Sequence, residues 1–318
     1  MASIAAASTE TALWARRQEL VRAINETRVN AEYLPDLELP SELTATHDLT
    51  GAVEGADLVV MAVPSHGFRE VFSRMASSIG RDTPVVSLTK GIEQVSLARM
   101  TEVIDALAED HDPSLTGVLT GPNLAAEIAA GQPAAAVVAM ADRHAAGDLQ
   151  RLFMGPSFRV YTNDDVVGCE LAGALKNVMA IASGMSDGLG FGDNTRATLL
   201  TRALAELTRL GVALGGRPET FAGLAGMGDL IATASSDKSR NHRVGYLLAR
   251  GRALDEIVSE MNMVAEGIKT TGSVIGLAER TGVDMPIATH VGMVLDGQIT
   301  PRDGVMSLMT REAKAESA

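Results

Sequence analysis

The chain has a single cysteine among 318 residues, Cys169, so no disulfide can close within it and a cysteine-based zinc cluster is excluded. Positive charge is also scarce: 27 lysines and arginines against 40 aspartates and glutamates leave a formal net charge of −13. That balance argues against a nucleic-acid backbone or an anionic membrane as partner, because either wants a basic face. An anionic small molecule stays open, provided cations are concentrated locally. His47, His66, His111, His144, His242 and His290 are scattered without ligand spacing, and no acidic cluster accompanies them, so no metal is expected. No stretch reads as the run of about 18 apolar residues that a membrane span requires. The alanine-rich opening MASIAAASTETALWARR lacks basic residues ahead of its apolar part and makes a poor signal peptide. A cytoplasmic protein is expected.

What is present is ordinary globular composition, 46% apolar and 21% charged, on a chain long enough for two domains. Residues 56–64 (ADLVVMAVP) form a nearly continuous apolar run, the mark of a strand covered on both faces. Residues 83–90, 116–121 and 134–140 repeat the pattern. Residues 11–14 and 158–161 add shorter strands, while 29–40, with two prolines, reads as loop. Helical stretches at 18–25, 65–78, 94–108 and 124–130 alternate with these strands. The pattern is α/β, an N-terminal doubly wound parallel sheet of Rossmann-like type. Past residue 163 helical periodicity takes over and strands stop, so the expected domains are 1–163, the dinucleotide-binding one, and 164–318, all-helical.

The most unusual stretch is GCELAGALKNVMAIASGMSDG, residues 168–188. Asp164 and Asp165 offer short carboxylates to cap its first turn. Its apolar residues surround the helix, which predicts burial. At about 100° per residue Glu170, Gly173, Asn177 and Gly184 share one stripe, with Lys176 a step aside. A lone helical lysine is ordinarily solvated, whereas a small, polar stripe on a buried helix suits the wall of a site.

Two further clusters bear on that choice: Leu224-Ala-Gly-Met-Gly-Asp229 and Ser239-Arg240-Asn241. Together with ELAGALKNVMAIASG they resemble the bacterial-type NAD(P)-dependent glycerol-3-phosphate dehydrogenases, in matching order and spacing from about residue 13 onward. The resemblance implies an oxidoreductase that interconverts dihydroxyacetone phosphate and sn-glycerol 3-phosphate by hydride transfer, feeding glycerophospholipid synthesis. It implies NADPH as cofactor, with NADH as the other candidate, a homodimer, and no nucleic-acid partner. The alternatives are a related dehydrogenase acting on another hydroxy acid, and a truncated, non-catalytic or impaired relative unable to hold the dinucleotide.

One family feature is missing. The family has a strand and a G-x-G-x-x-[GA] turn ahead of the strand that ends in Trp14-Ala-Arg-Arg17, where glycines admit the pyrophosphate to a helix N-terminus. Residues 1–8 instead read as the tail of the helix following such a turn. The expectation is a start placed inside that helix, about 20 residues late, the length of a strand, its turn and half a helix. Two glycine patterns, at 188–192 and 223–228, lie in helical surroundings and do not qualify as the loop.

The resemblance assigns the remaining roles. Lys176 corresponds to the catalytic lysine, which gives the proton in reduction and takes it in oxidation. Substrate contacts are Lys90, Gly121, Asn123, Lys176, Asp229, Ser239, Arg240 and Asn241. Cofactor contacts are Arg16, Arg17, Lys90, Ala125, Arg240, Val264 and Glu266. On the residues alone, alternatives remain. Arg16 and Arg17 either accommodate a ribose 2′-phosphate or are exposed at a helix start, and Glu19 nearby could favour a free hydroxyl. Asn123 is an N-cap facing an anion or a purely structural cap. Ser239-Arg240-Asn241 is a phosphate anchor or an ordinary helix entrance. Lys90 is a second cation at a strand end or a solvated lysine, and Glu266 touches cofactor or pairs with a surface cation.

Overall fold

A computed structural model describes residues 1–261, 265–313 and 315–316. Among the described residues nine strands are formed, β1 (Thr11–Trp14), β2 (Val29–Asn30), β3 (Leu34–Glu38), β4 (Leu43–Thr46), β5 (Val59–Met61), β6 (Val85–Ser87), β7 (Thr116–Thr120), β8 (Ala134–Met140) and β9 (Phe158–Asn163). The helices begin with α1 (Ala2–Ala5), α2 (Gln18–Thr27), α3 (Leu49–Val53), α4 (Ser65–Ser73), α5 (Met100–Leu107), α6 (Ala125–Ala129), α7 (Arg143–Phe153) and α8 (Val166–Gly188). They continue with α9 (Asp193–Ala213), α10 (Pro218–Ala222), α11 (Asp229–Ala234), α12 (Arg240–Ala249), α13 (Leu254–Ser259), α14 (Glu266–Thr281), α15 (Pro286–Leu295) and α16 (Pro301–Met309). The chain divides into two compact units: Met1–Thr89 with Arg99–Glu170, and Lys90–Ala98 with Leu171–Ala318.

The first unit is α/β. Strands β5-β6-β7-β8-β9 form one sheet, and β1 pairs with β4 in a separate parallel ladder. Among the described residues β1 has one sheet neighbour and β5 has one. The expected all-parallel sheet is corrected in one place, because β8 runs antiparallel to β7 while its other ladder, to β9, is parallel. The stretch expected as loop, 29–40, holds the short antiparallel pair β2–β3. Val85, Val86, Leu119, Val138 and Met140 are buried, as strands covered on both faces should be. Against Val86, Leu119, Val138 and Met140, α7 lays Ala145, Ala146, Leu149 and Phe153, spaced three and four apart on one face. Asp142 fixes where α7 starts, accepting hydrogen bonds from the His144 and Ala145 backbone N–H groups at 2.9 and 2.8 Å. Helix α1, the expected helix tail, adds Ala5 to the same core.

The second unit is helical around α8. Asp165 caps this helix, accepting the Gly168 N–H at 2.8 Å. Leu171, Ala172, Ala174, Leu175, Val178, Met179, Ala180 and Ile181 have no exposed surface. Contrary to the expectation from sequence, α8 is long and apolar enough to cross a membrane, yet 83% of its most apolar stretch is buried within the protein, so it is a core helix. Gly184 is not a wall of a site: a Cβ there would meet the His242 carbonyl oxygen on α12 at 1.9 Å. A Cβ on Gly245 of α12 would likewise lie 1.9 Å from the Ile181 carbonyl oxygen. The two helices therefore cross backbone to backbone, which small residues alone permit. That crossing seats the first turn of α12 beside Asn177.

Another buried carboxylate holds α15. Glu206 of α9 accepts the Ile287 N–H at 2.9 and 3.1 Å and the Ala288 N–H at 3.4 Å, serving free donors of a first helical turn that opens on Pro286. Burial raises its pKa to about 7, against the pull of those N–H groups. The folded pKa lies above the unfolded one, so the folded chain holds the extra proton between them. The resulting stability is full below about pH 4.5 and is lost as pH rises through about 7, on the order of 3 kcal/mol in all. Urea unfolding at about pH 5 and pH 8 should show Glu206→Gln losing less stability across that interval than the parent. Equal losses would refute the assignment.

Candidate active site

In the second unit, one carboxylate gathers two lysines. Asp229 opens α11, directly after a π-helical turn, Leu224–Gly228. Such turns are rare and recur at functional positions. Gly226 in this stretch serves packing: a Cβ there would sit 2.1 Å from the Phe221 carbonyl oxygen. Asp229 is 2% exposed. Its Oδ1 accepts from Lys176 Nζ at 2.8 Å and its Oδ2 accepts from Lys90 Nζ at 2.6 Å. Lys176 also donates to Thr233 Oγ1, and Thr233 donates to Asp229 Oδ1 at 3.2 Å. Thr233 was not singled out from sequence, although its position one turn after Asp229 on the same helix was a usable signal.

Burial governs the charges. Removal from water lowers the Lys176 pKa from 10.5 to about 8, helped by Lys90 and Arg240 and opposed by Asp229. Burial alone would raise the Asp229 carboxyl, but the two lysines outweigh it and hold it below its usual value. The side chains of Lys176 and Asp229 are 5% and 3% exposed, so their pairing is not screened as a surface ion pair would be. Lys176 thus sits where a modest change of surroundings passes its proton.

A line of amides braces this centre. The Gly267 N–H donates to Asn241 Oδ1 at 2.9 Å, Asn241 Nδ2 to Asn177 Oδ1 at 2.9 Å, and Asn177 Nδ2 to the Lys90 carbonyl at 3.0 Å. Both ends fix the orientation of the amides, since a backbone N–H can only donate and a carbonyl can only accept. Asn241, expected as a substrate contact, therefore spends one acceptor and one donor on this brace. Asn177, noted in the sequence only as part of a stripe, ties the lysine-bearing segment Lys90–Ala98 to α8.

Ser239 is the N-cap of α12 and accepts the His242 N–H at 3.3 Å. Arg240 follows as the first helical residue and is exposed. Partial desolvation lowers its pKa, and the charge of Glu266, the first residue of α14, offsets this. Within a chain of net charge −13, Lys90, Lys176 and Arg240 outnumber Asp229 and Glu266 here. This is the local positive excess that an anionic ligand requires. Val264 lies outside the described residues.

The first unit holds the other expected contacts. Arg16 and Arg17 follow the C-terminal end of β1 and precede α2, both exposed. This is the strand–arginine–helix order that suits a ribose phosphate, so these residues fit the adenosine end of a dinucleotide. Arg17 donates to Glu32 and, at 3.4 Å, to the Tyr33 hydroxyl. Gly121, directly after β7, has φ +130°, and a Cβ there would press on Ala136 at 3.1 Å, so glycine is required. Asn123 is not the N-cap expected of it: Leu124 takes that position without a side-chain bond, and α6 starts at Ala125, which is exposed.

Comparison with known proteins identifies the family of the chain. The family described as NAD-dependent glycerol-3-phosphate dehydrogenase, N-terminus, matches residues 1–146, and its C-terminal counterpart matches residues 165–306. The chain is 54% identical over 309 residues to glycerol-3-phosphate dehydrogenase [NAD(P)+] 2 of Sphingopyxis alaskensis, covering 97% of this chain and 92% of that one. It is 50% identical over 314 residues to glycerol-3-phosphate dehydrogenase [NAD(P)+] of Streptomyces avermitilis, covering 98% and 93%. A crystal structure of glycerol-3-phosphate dehydrogenase from Coxiella burnetii superposes with a TM-score of 0.92 at 36% identity, covering 98% of this chain and 94% of that one. Matches of this extent across both halves leave one assignment: the chain belongs to the NAD-dependent glycerol-3-phosphate dehydrogenase family.

Proposed function

We propose that this chain interconverts dihydroxyacetone phosphate and sn-glycerol 3-phosphate with NAD(P)H, as an enzyme of the cytoplasm that feeds glycerophospholipid synthesis. The observation that carries the reading is Lys176, buried, held by Asp229 and poised at about pH 8. Such a group donates a proton to a developing alkoxide and recovers one from the alcohol in the reverse direction. The nicotinamide cofactor, when bound, supplies the hydride. Lys90 adds a second cation near the reacting oxygen, and Asp229 keeps both lysines in place. Ser239 and Arg240 anchor the phosphate, Arg240 by the paired donors of its guanidinium. Gly121, Asn123 and Asn241 complete the substrate contacts. Arg16 and Arg17 receive the adenosine end and favour NADPH, while Lys90, Ala125, Arg240, Val264 and Glu266 attend the rest of the cofactor. Residues 1–163 form the dinucleotide-binding domain and 164–318 the substrate domain, and the working unit is a homodimer.

Consumption of NADPH with dihydroxyacetone phosphate, dihydroxyacetone and a set of 2-keto acids tests this reading. Turnover confined to the phosphorylated ketone is expected. Equal or better turnover of an unphosphorylated acid would sink it.

A further inference from the structure

The tip of the β2–β3 pair faces the arginines that follow β1. Tyr33 N–H donates to the Asn30 carbonyl at 3.2 Å and to Asn30 Oδ1 at 3.3 Å, which fixes the tip. Glu32 and Tyr33 are thereby presented to Arg17, and Glu32 takes its guanidinium in an ion pair. We propose that Glu32 is a specificity-determining residue for the cofactor's ribose, opposing a 2′-phosphate and accepting a 2′-hydroxyl. The proposal rests on the reading of Arg17 as a ribose contact.

The argument is one of competing anions. An arginine alone at this place favours a 2′-phosphate, and a carboxylate alone favours a free 2′-hydroxyl, to which it is an acceptor. Here both are present and already paired. A 2′-phosphate must displace Glu32 from Arg17 or lie beside a like charge. A 2′-hydroxyl needs neither, because it donates to the carboxylate while Arg17 keeps its partner. Hydrogen bonds from Arg17 and Tyr33, with the Arg17 charge behind them, hold the Glu32 carboxyl below its usual range, so it is ionised at neutral pH. The Arg17 and Glu32 side chains are 47% and 38% exposed, which makes the pair weak enough to exchange. A pair of this kind admits both nucleotides with a small preference rather than excluding one. Glu19, on α2 itself, is the acidic residue that sequence alone suggests for this task. The partner that the fold delivers to Arg17 comes instead from the hairpin.

The test needs no catalysis. Trp14 is the only tryptophan and lies three residues before Arg17, so its fluorescence reports binding of 2′,5′-ADP and of 5′-AMP, probes that differ by the 2′-phosphate. Glu32→Gln should raise affinity for 2′,5′-ADP about threefold, a surface-pair effect, and weaken 5′-AMP, which loses a charged acceptor for its 2′-hydroxyl. Arg17→Gln should abolish the preference for 2′,5′-ADP. If Arg17→Gln removes the preference but Glu32→Gln leaves the ratio of affinities as in the parent, Glu32 has no such role. If neither variant changes the ratio, the reading of Arg17 itself fails, and the proposal falls with it.

Discussion

Replacing Lys176 by alanine should lower turnover by about 10²- to 10⁴-fold in both directions, the usual worth of a positioned proton donor. On the proposed reading the Michaelis constant for the phosphorylated ketone should stay within a few-fold, because the anchoring assigned to Arg240 and Ser239 is left untouched by the alanine. The parent enzyme's pH profile is the companion measurement. If Lys176 is the proton donor proposed above, reduction needs it protonated, so its rate falls as pH rises through about 8. Oxidation needs it neutral, so its rate rises through the same region. Mirror-image limbs near one pH identify a single group serving both directions. A Lys176→Ala protein that keeps both limbs would remove the lysine from the chemistry and pass the role to another group.

How far this site could be read beforehand depended on what each residue needed. Helix α8 was legible because apolar residues around a whole helix mean burial, and a lysine in such a place demands a partner. No local pattern names that partner, since Lys176 and Asp229 lie 53 positions apart and only the fold joins them. The second engagement of Asp229, with Lys90, followed from no local pattern. It requires the short segment Lys90–Ala98 to be packed with the helical unit, although β6, immediately before it, belongs to the other. The amide brace was hidden for a similar reason: Asn177 and Asn241 each look like a polar residue facing a ligand, and periodicity cannot tell a ligand from another amide. Gly184 misled in the opposite way. A small residue on a stripe marks close approach of something, and here it was the backbone of α12 rather than substrate. The antiparallel turn of β8 and the β2–β3 pair also escaped, because burial pattern shows that a strand is covered but not which way it runs. Prolines in residues 29–40 read as loop, yet an edge pair tolerates them.

Asp229→Asn should separate holding a charge from transferring a proton. The asparagine keeps the shape and loses the charge, leaving Lys176, Lys90 and Arg240 to repel one another without their shared counterion. Removing one member of a buried pair costs about 3–5 kcal/mol when the other stays charged. Lys176 can escape that cost by shedding its proton, so its pKa should drop further below about 8, the value it has beside Asp229. The sign follows. A lysine whose folded pKa lies below its unfolded one destabilises the fold most at low pH, and the deficit shrinks as pH rises and the folded lysine becomes neutral. Urea unfolding of Asp229→Asn should therefore show its largest loss near pH 6 and a smaller one near pH 9. Activity should divide in the same way. At pH 7 the variant has lost the protonated lysine that reduction requires but keeps the neutral amine that oxidation uses, so reduction falls more than oxidation. Lys176→Ala, which removes the amine, must lower both alike. If Asp229→Asn also depressed the two directions equally at every pH, Asp229 would act on the substrate directly rather than through the charge of Lys176.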